Sequence, residues 1–195
     1  LGTVALLNSL RVTGNQGELY VLDAGLTPAE RAVLDGPATV VSLPETRGNP
    51  ALFSPYPHLL DPTGVVVVID CDIIVTASLE PITRLAQEGQ ICVCPAWTED
   101  ARKRWFAEWE QELQLRAPLR RGEEWVHVGF VAFDTEHWPG FLERWWEVSG
   151  LVPSEDIFKN GRVAFSAGDA DALNALLMSE IPREGVAILS PDDEV

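Results

Sequence analysis

The stretch "GVVVVIDCDIIV", residues 64–75, decides the fold. Its apolar run, Val65–Ile69, has no polar residue on either face, which is typical of a strand inside a parallel sheet covered by helices on both sides. The run ends in two acids, Asp70 and Asp72, with only Cys71 between them. Residues i and i+2 of an extended chain point the same way, so we expect both carboxylates to face one ligand.

Helical and extended patterns alternate on both sides of this stretch. We predict helices over 3–13, 26–35, 80–89, 98–116, 138–150 and 169–181, and strands over 19–23, 38–43, 65–70, 91–96, 124–134, 163–169 and 186–190. The alternation predicts an α/β fold with a mostly parallel sheet flanked by helices on both faces. No repeat or linker is visible, so we expect one domain over 1–195.

Composition excludes several classes of function. The chain has 195 residues and a formal charge of −16, which disfavours nucleic acid and anionic membranes as partners. A hydrophobic fraction of 46% argues against disorder. No apolar run is long enough to span a bilayer and no signal peptide is recognisable, so we expect a cytoplasmic protein. Because the sequence opens with Leu1 inside a helical pattern, we expect a fragment that lacks its first strand.

The three cysteines are Cys71, Cys92 and Cys94. An odd number of closely spaced thiols is a poor disulfide framework and suits a reducing compartment. Cys92 and Cys94 share one face of a predicted strand. Because no other cysteine supplies further ligands, we expect them to be buried apolar residues and not a metal site.

The paired acids at the end of the strand predict a cation site. In α/β sheets, ligands bind beyond the carboxyl ends of the strands, where Asp70 and Asp72 lie. Two neighbouring carboxylates repel each other unless a cation is near, and hard oxygen ligands suit Mg²⁺ or Mn²⁺. Such an ion would let an acidic protein bind a diphosphate. The alternative is that Asp70 caps the next turn and Asp72 is only solvated.

Four blocks of sequence resemble a known family. "VVVVIDCDIIVTASLEPI" (65–82) resembles the Asp-x-Asp region of GT-A fold glycosyltransferases, and residues 2–34 resemble the opening helix, second strand and next helix of glycosyltransferase family 8. "WVHVGFVAFDTEHWPGFLERW" (125–145) resembles that family's Phe-Asn-Ser-Gly-Val strand, and "GDADALNALL" (168–177) its Asp-Gln-Asp helix start. The resemblance implies a Rossmann-like GT-A domain that transfers sugar from a nucleotide-diphosphate donor.

The resemblance implies a donor site at the Asp-x-Asp motif. Asp70, Cys71 and Asp72 would bind the nucleotide-sugar, with a UDP-sugar favoured. Asp70 and Asp72 would coordinate Mn²⁺ or Mg²⁺ bridging the donor diphosphate. The family's closing His motif, which supplies a further metal ligand, has no counterpart in "VAILSPDDEV" (186–195).

The resemblance also implies an acceptor site. Asp169 and Asp171 would lie near the acceptor hydroxyl, one of them as a base or as a stabiliser of positive charge at the anomeric carbon. His127 and Gly129 would line the acceptor pocket, although Gly129 alone matches the family's strand motif and Ala170 replaces its Gln. The acceptor is unknown, and retention of anomeric configuration is implied. The alternatives are helix capping by the two acids and a hydrogen-bonded core role for His127.

Two other functions fit the same acids. In a haloacid-dehalogenase-type phosphatase, Asp70 would be the nucleophile, Asp72 the acid/base, Lys159 the charge stabiliser and Asp169 a Mg²⁺ ligand. Against this, two strands precede the motif and bulky Ile73 follows it. The second of these functions is that of a transferase-like domain that binds a nucleotide or a partner without turnover.

The basic and tryptophan-rich patches have simpler interpretations. We expect the basic runs at 102–104 and 120–121 to be solvated. Trp97, Trp105, Trp109 and Trp125 are expected to lie mostly in the core.

Overall fold

The computed structural model describes residues 2–43, 52–96, 103–120, 122–153, 156–157 and 163–189. Its helices are α1 (Gly2–Val12), α2 (Pro28–Leu34), α3 (Glu80–Gln87), α4 (Glu108–Glu112), α5 (Phe141–Ser149) and α6 (Asp169–Leu177), with 3₁₀ turns at Tyr56–Leu60 and Arg183–Gly185. Its strands are β1 (Tyr20–Asp23), β2 (Thr39–Ser42), β3 (Val65–Ile69), β4 (Ile91–Pro95), β5 (Val126–Asp134) and β6 (Val186–Ile188). In these ranges, no helix is long and apolar enough to cross a membrane.

The strands form two sheets, one of β1 and β2 and one in the order β3-β5-β4-β6. A mixed α/β fold is therefore confirmed. The prediction that β3 lies inside a parallel sheet is wrong: among the described strands, β3 is an edge strand, its five residues are half-buried, and it pairs only with antiparallel β5. The expected mostly parallel sheet is found only in part: β1–β2 and β4–β6 are parallel, whereas β5 is antiparallel to both β3 and β4. Because β3 and β4 both oppose β5, they run in the same direction, as predicted. The α3 crossover between them leaves a space one strand wide, which β5 fills.

Helices cover both faces of the four-stranded sheet, as predicted. On one face, Val131 and Phe133 of β5 join the main core with α5 and α6. On the other face, Phe130 and Ala132 pack towards α3. The side chains of β5 alternate between the two cores because successive residues of a strand point to opposite faces.

The cysteines occupy the positions that the sequence predicts. Cys92 is fully buried and Cys94 half-buried, and both belong to the α3-side core. Burial raises the pKa of the Cys92 thiol to about 11. Cys71 is exposed, and all three thiols are free. Cys92 and Cys94 therefore act as small apolar residues on one face of β4.

Two predicted elements differ from the structure for one shared reason. The helix predicted over 98–116 is helical only at α4 within the described residues, and the strand predicted over 163–169 is a run of turns that leads into α6. The guanidinium of Arg104 hydrogen-bonds to the Val163 and Ala164 carbonyls and to the Ser166 hydroxyl. These long-range bonds join two irregular segments and compete with the helix and the strand.

Candidate functional site

Asp70 ends β3 against the middle of β5. Its backbone N–H donates to the Gly129 carbonyl over 2.8 Å, and its carboxylate lies half-buried beside that glycine. A Cβ on Gly129 would lie 2.9 Å from Asp70 Oδ2 and 2.8 Å from His127 Nδ1. Glycine therefore leaves the space in which the Asp70 carboxylate and the His127 ring meet.

An irregularity in β5 brings His127 to this position. The pairing of β5 with β4 jumps from Val93–Val131 to Cys94–His127, so β5 has three residues without partners in β4. Within this unpaired stretch, Gly129 N–H donates to His127 Nδ1 over 2.9 Å. Bulges of this kind re-aim side chains beside functional sites.

The electrostatics around Asp70 favour a cation. Burial raises the pKa of the Asp70 carboxyl, the nearby His127 opposes that rise, and the negative charge of Asp72 adds to it. Asp72 and Cys71 are both exposed. Because burial and the charge of Asp72 both disfavour the charged form of Asp70, a cation bound nearby would stabilise that form.

Asp169 is the predicted site residue whose charge interacts with that of Asp70. It is the first residue of α6 and only 4% exposed. Its Oδ2 accepts the backbone N–H of Ser54 over 2.9 Å. Burial raises the pKa of Asp169 to about 7; hydrogen bonding from Ser54 opposes the rise, and the charge of Asp70 adds to it. Residues 99 positions apart in the chain therefore lie close enough for their charges to interact.

Asp171 has a different environment. It is fully buried, and its two oxygens accept from Arg104 Nε over 2.7 Å and from Arg104 Nη2 over 2.8 Å. Oδ2 also accepts the Ala167 N–H over 2.8 Å. Burial raises the pKa of Asp171 and the bonds to Arg104 oppose the rise. Its predicted catalytic role stays a prediction, while its observed contacts anchor the start of α6.

The structure brings together five of the predicted site residues. Asp70, His127 and Gly129 lie side by side at the carboxyl end of β3, and the charge of Asp70 interacts with those of Asp72 and Asp169. Asp171 is instead held in the Arg104 ion pair, and Cys71 is exposed between the first two acids.

Sequence reasoning missed two residues that shape the site. Ser54 lies in a proline-rich loop segment and carries no signal of its own. Arg104 was expected to be solvated, which is wrong: only 10% of its side chain is exposed. The apolar residues that follow it, Trp105 and Phe106, were the only local sequence signal that Arg104 could be buried. The prediction that the tryptophans lie mostly in the core is confirmed for Trp109 and Trp125, which are buried, and Trp105 packs half-buried against the same core. Trp97 lies outside the described residues.

The two carboxylates of the site fit a divalent ion whose remaining ligands come from a substrate. Within the described ranges, no cluster of three or more His, Cys, Asp or Glu side chains is placed to hold a metal ion. Asp70 and Asp72 supply two carboxylates. Mg²⁺ typically takes one or two protein carboxylates together with substrate phosphates and water. The pair therefore suits a metal–diphosphate complex better than a metal held by protein alone.

Comparison of the sequence with known protein families and with curated proteins found no match. The family resemblance of the four sequence blocks therefore stays an expectation. The geometry around Asp70 and Asp169 is the basis on which a function can be proposed.

Proposed function

We propose that this chain is a metal-dependent glycosyltransferase that moves a sugar from a nucleotide-diphosphate donor, with a UDP-sugar favoured, to an acceptor still to be identified. One observation carries the proposal. At the carboxyl end of β3, the half-buried Asp70 carboxylate lies beside His127 and Gly129. Burial and the charge of exposed Asp72 raise the pKa of Asp70, and burial and the charge of Asp70 raise the pKa of Asp169. This concentration of negative charge favours a cation, and the site opens to solvent at Asp72.

Asp70 and Asp72 would hold Mn²⁺ or Mg²⁺. The bound ion supplies charge neutralisation for the diphosphate of the donor and of the leaving group. It also accounts for how a chain of net charge −16 binds an anion.

Asp169 is the proposed group at the acceptor. The Ser54 N–H orients its carboxylate, and burial keeps water away from it. A carboxyl group whose pKa lies near 7 is suited to exchange a proton with a hydroxyl at neutral pH. In its charged form, it stabilises positive charge at the anomeric carbon instead. His127 and Gly129 line the acceptor side of Asp70.

Calorimetric titration tests the proposal. UDP and then GDP are titrated with and without Mn²⁺ into the wild type, Asp72→Asn and Glu136→Gln. Glu136 is an exposed acid just beyond β5, at the opposite end of the sheet from Asp70, so it is a matched acid-to-amide control. We expect binding in the tens of micromolar, about −6 kcal/mol, that needs Mn²⁺, is lost in Asp72→Asn and persists in Glu136→Gln.

Two results would contradict the proposal: a folded wild type that binds neither nucleotide with Mn²⁺, or an Asp72→Asn variant that binds as well as wild type. Because Asp169 beside Asp70 also fits a phosphatase, beryllofluoride with Mg²⁺ is included. Beryllofluoride binding that is lost in Asp70→Asn, without UDP binding, would favour the phosphatase; its Lys159 lies outside the described residues. UDP binding without turnover of any donor would favour a non-catalytic domain.

A further inference from the structure

The segment that carries Asp72 has no regular structure of its own. Residues 70–79, which we call the acidic loop, leave β3 and reach α3 without forming a helix or a strand. Asp70 is tied to β5 through its backbone, but Asp72 is exposed and lies beyond that bond. The Ile73 N–H donates to the Asp70 carbonyl over 3.1 Å, so Asp72 lies in a turn that begins at Asp70. The position of Asp72 relative to Asp70 therefore depends on this turn and on what holds the loop that follows it.

Helix α1 contacts the acidic loop from the first residue of the helix onward. At its beginning, a Cβ on Gly2 would lie 2.6 Å from the Cys71 carbonyl oxygen and 3.6 Å from Asp72 Cα. Two turns later, Ser9 Oγ accepts the Val75 N–H over 3.0 Å while it donates to a carbonyl of its own helix. A side chain that accepts and donates at once is held in one rotamer, so this bond is well defined.

Asn15 bonds to the end of the acidic loop that leads into α3. It lies just beyond α1, and its Oδ1 accepts the Leu79 N–H over 2.7 Å. Its Nδ2 donates to the Ala77 carbonyl over 3.2 Å. One amide thus pairs with the loop backbone in both directions, as a strand neighbour would. The side chain of Val75, whose N–H bonds to Ser9, is buried with two leucines of α1.

We propose that Ser9 and Asn15 are positioning residues of the metal site, through which α1 sets where Asp72 lies relative to Asp70; this rests on the proposed function. Asp70 belongs to the sheet and Asp72 to a loop fastened to α1. The spacing of the two carboxylates therefore depends on the Asp70–Ile73 turn and on the bonds that fasten the rest of the loop to Ser9 and Asn15. A metal bound by both acids needs that spacing, so loosening the loop weakens metal binding without removing a ligand.

Manganese titration followed by electron paramagnetic resonance, in the presence of UDP, tests the proposal. Ser9→Ala and Asn15→Ala are compared with wild type. Asn8→Ala is the matched control, because Asn8 is an exposed asparagine of the same helix. Ser9→Thr keeps the hydroxyl acceptor. We expect about tenfold weaker Mn²⁺ binding in the two alanine variants, and binding within about twofold of wild type in Asn8→Ala and Ser9→Thr.

A second readout separates this proposal from the proposed function. Hydrogen exchange of the Val75 and Leu79 amides should be about tenfold faster in Ser9→Ala and Asn15→Ala respectively, since each amide loses its acceptor. Unchanged Mn²⁺ affinity with accelerated exchange would overturn the positioning role and leave the proposed function intact. No Mn²⁺ binding by wild type would overturn both. Unchanged exchange would show that α1 does not hold the loop.

Discussion

Two acids of α6, Asp169 and Asp171, lie two positions apart and have opposite environments. Two residues span about 200° of a helix, so their side chains leave it on different sides. Asp169 faces Ser54 and the charge of Asp70, whereas Asp171 faces Arg104. The same residue type therefore belongs to the candidate site at position 169 and stabilises the fold at position 171.

Removal of the Asp171 carboxylate should destabilise the fold strongly. Asp171→Ala removes the carboxylate that accepts two hydrogen bonds from the Arg104 guanidinium, which is only 10% exposed. We expect the free energy of unfolding to fall by about 3–5 kcal/mol, measured by urea denaturation. Arg84→Ala removes the exposed Arg84–Glu80 pair and is the control. Equal effects of the two substitutions would contradict the assignment of Asp171 to the scaffold.

Asp169 should make stability depend on pH. Its pKa is raised from 3.8 to about 7 in the folded chain, so the folded state binds the proton more tightly. Stability from this group is present below pH 4 and is lost as the pH rises from about 4 to about 7. In metal-free buffer, Asp169→Asn should remove this loss. We expect the variant to gain stability relative to wild type between pH 4 and pH 8, on the order of a few kcal/mol.

Urea denaturation of both proteins at several pH values checks this expectation. Glu136→Gln is again the control, because it replaces an exposed acid far from the site. A constant difference in stability between wild type and Asp169→Asn at every pH would show that Asp169 titrates normally.

At the scale of elements, the carboxyl end of α6 is held by Arg120. The Arg120 backbone N–H donates to the Met178 carbonyl, and its guanidinium donates to the carbonyls of Leu177, Ser179 and Ile181. Glu123 balances its charge. A cation that bonds the last carbonyls of a helix also complements the helix dipole.

Arg120→Ala should therefore loosen this helix end. Three carbonyls lose a charged donor, and we expect the free energy of unfolding to fall by about 2 kcal/mol. Hydrogen exchange should quicken first around residues 177–181. Arg116→Ala is the comparison, because the Arg116 side chain is 68% exposed and its ion pairs are long. A similar loss in both variants would show that Arg120 acts only as a surface charge.

Elements with strong local signals were predicted well. The helix Pro28–Leu34 begins at Thr27, whose side chain accepts from Glu30 N–H while Glu30 bonds back to the Thr27 backbone. This capping box is readable from four residues. The segments 98–116 and 163–169 were predicted poorly because Arg104 joins them across about 60 residues, and no local pattern reports such a bond.

At the scale of the whole molecule, the charge of −16 opposes folding through self-repulsion. Raising NaCl from 10 to 150 mM shortens the Debye length from about 30 to about 8 Å. We expect the melting temperature to rise with salt by a few degrees. A salt-independent melting temperature would show that the acids are distributed too widely to repel one another.

Mn²⁺ with UDP should stabilise wild type beyond this screening effect. At 100 times the dissociation constant, a ligand specific for the folded state adds about 2.7 kcal/mol, or about 5–10 °C in a chain of this length. Thermal denaturation at constant ionic strength measures the excess. It should vanish in Asp72→Asn and remain in Glu136→Gln. An equal excess in all three proteins would indicate non-specific screening by the ion.

The sequence by itself determined the alternation of helices and strands, the apolar strand β3 and the two acids at its end. These features depend on periodicity and on neighbouring residues, which are local properties. Only the tertiary structure decided that β5 inserts antiparallel beside β3, and that Asp169 and Ser54 meet near Asp70. It also decided that Arg104 is buried. Those outcomes depend on contacts between segments that are far apart in the chain. The energies of such contacts cannot be estimated from the local pattern of either segment.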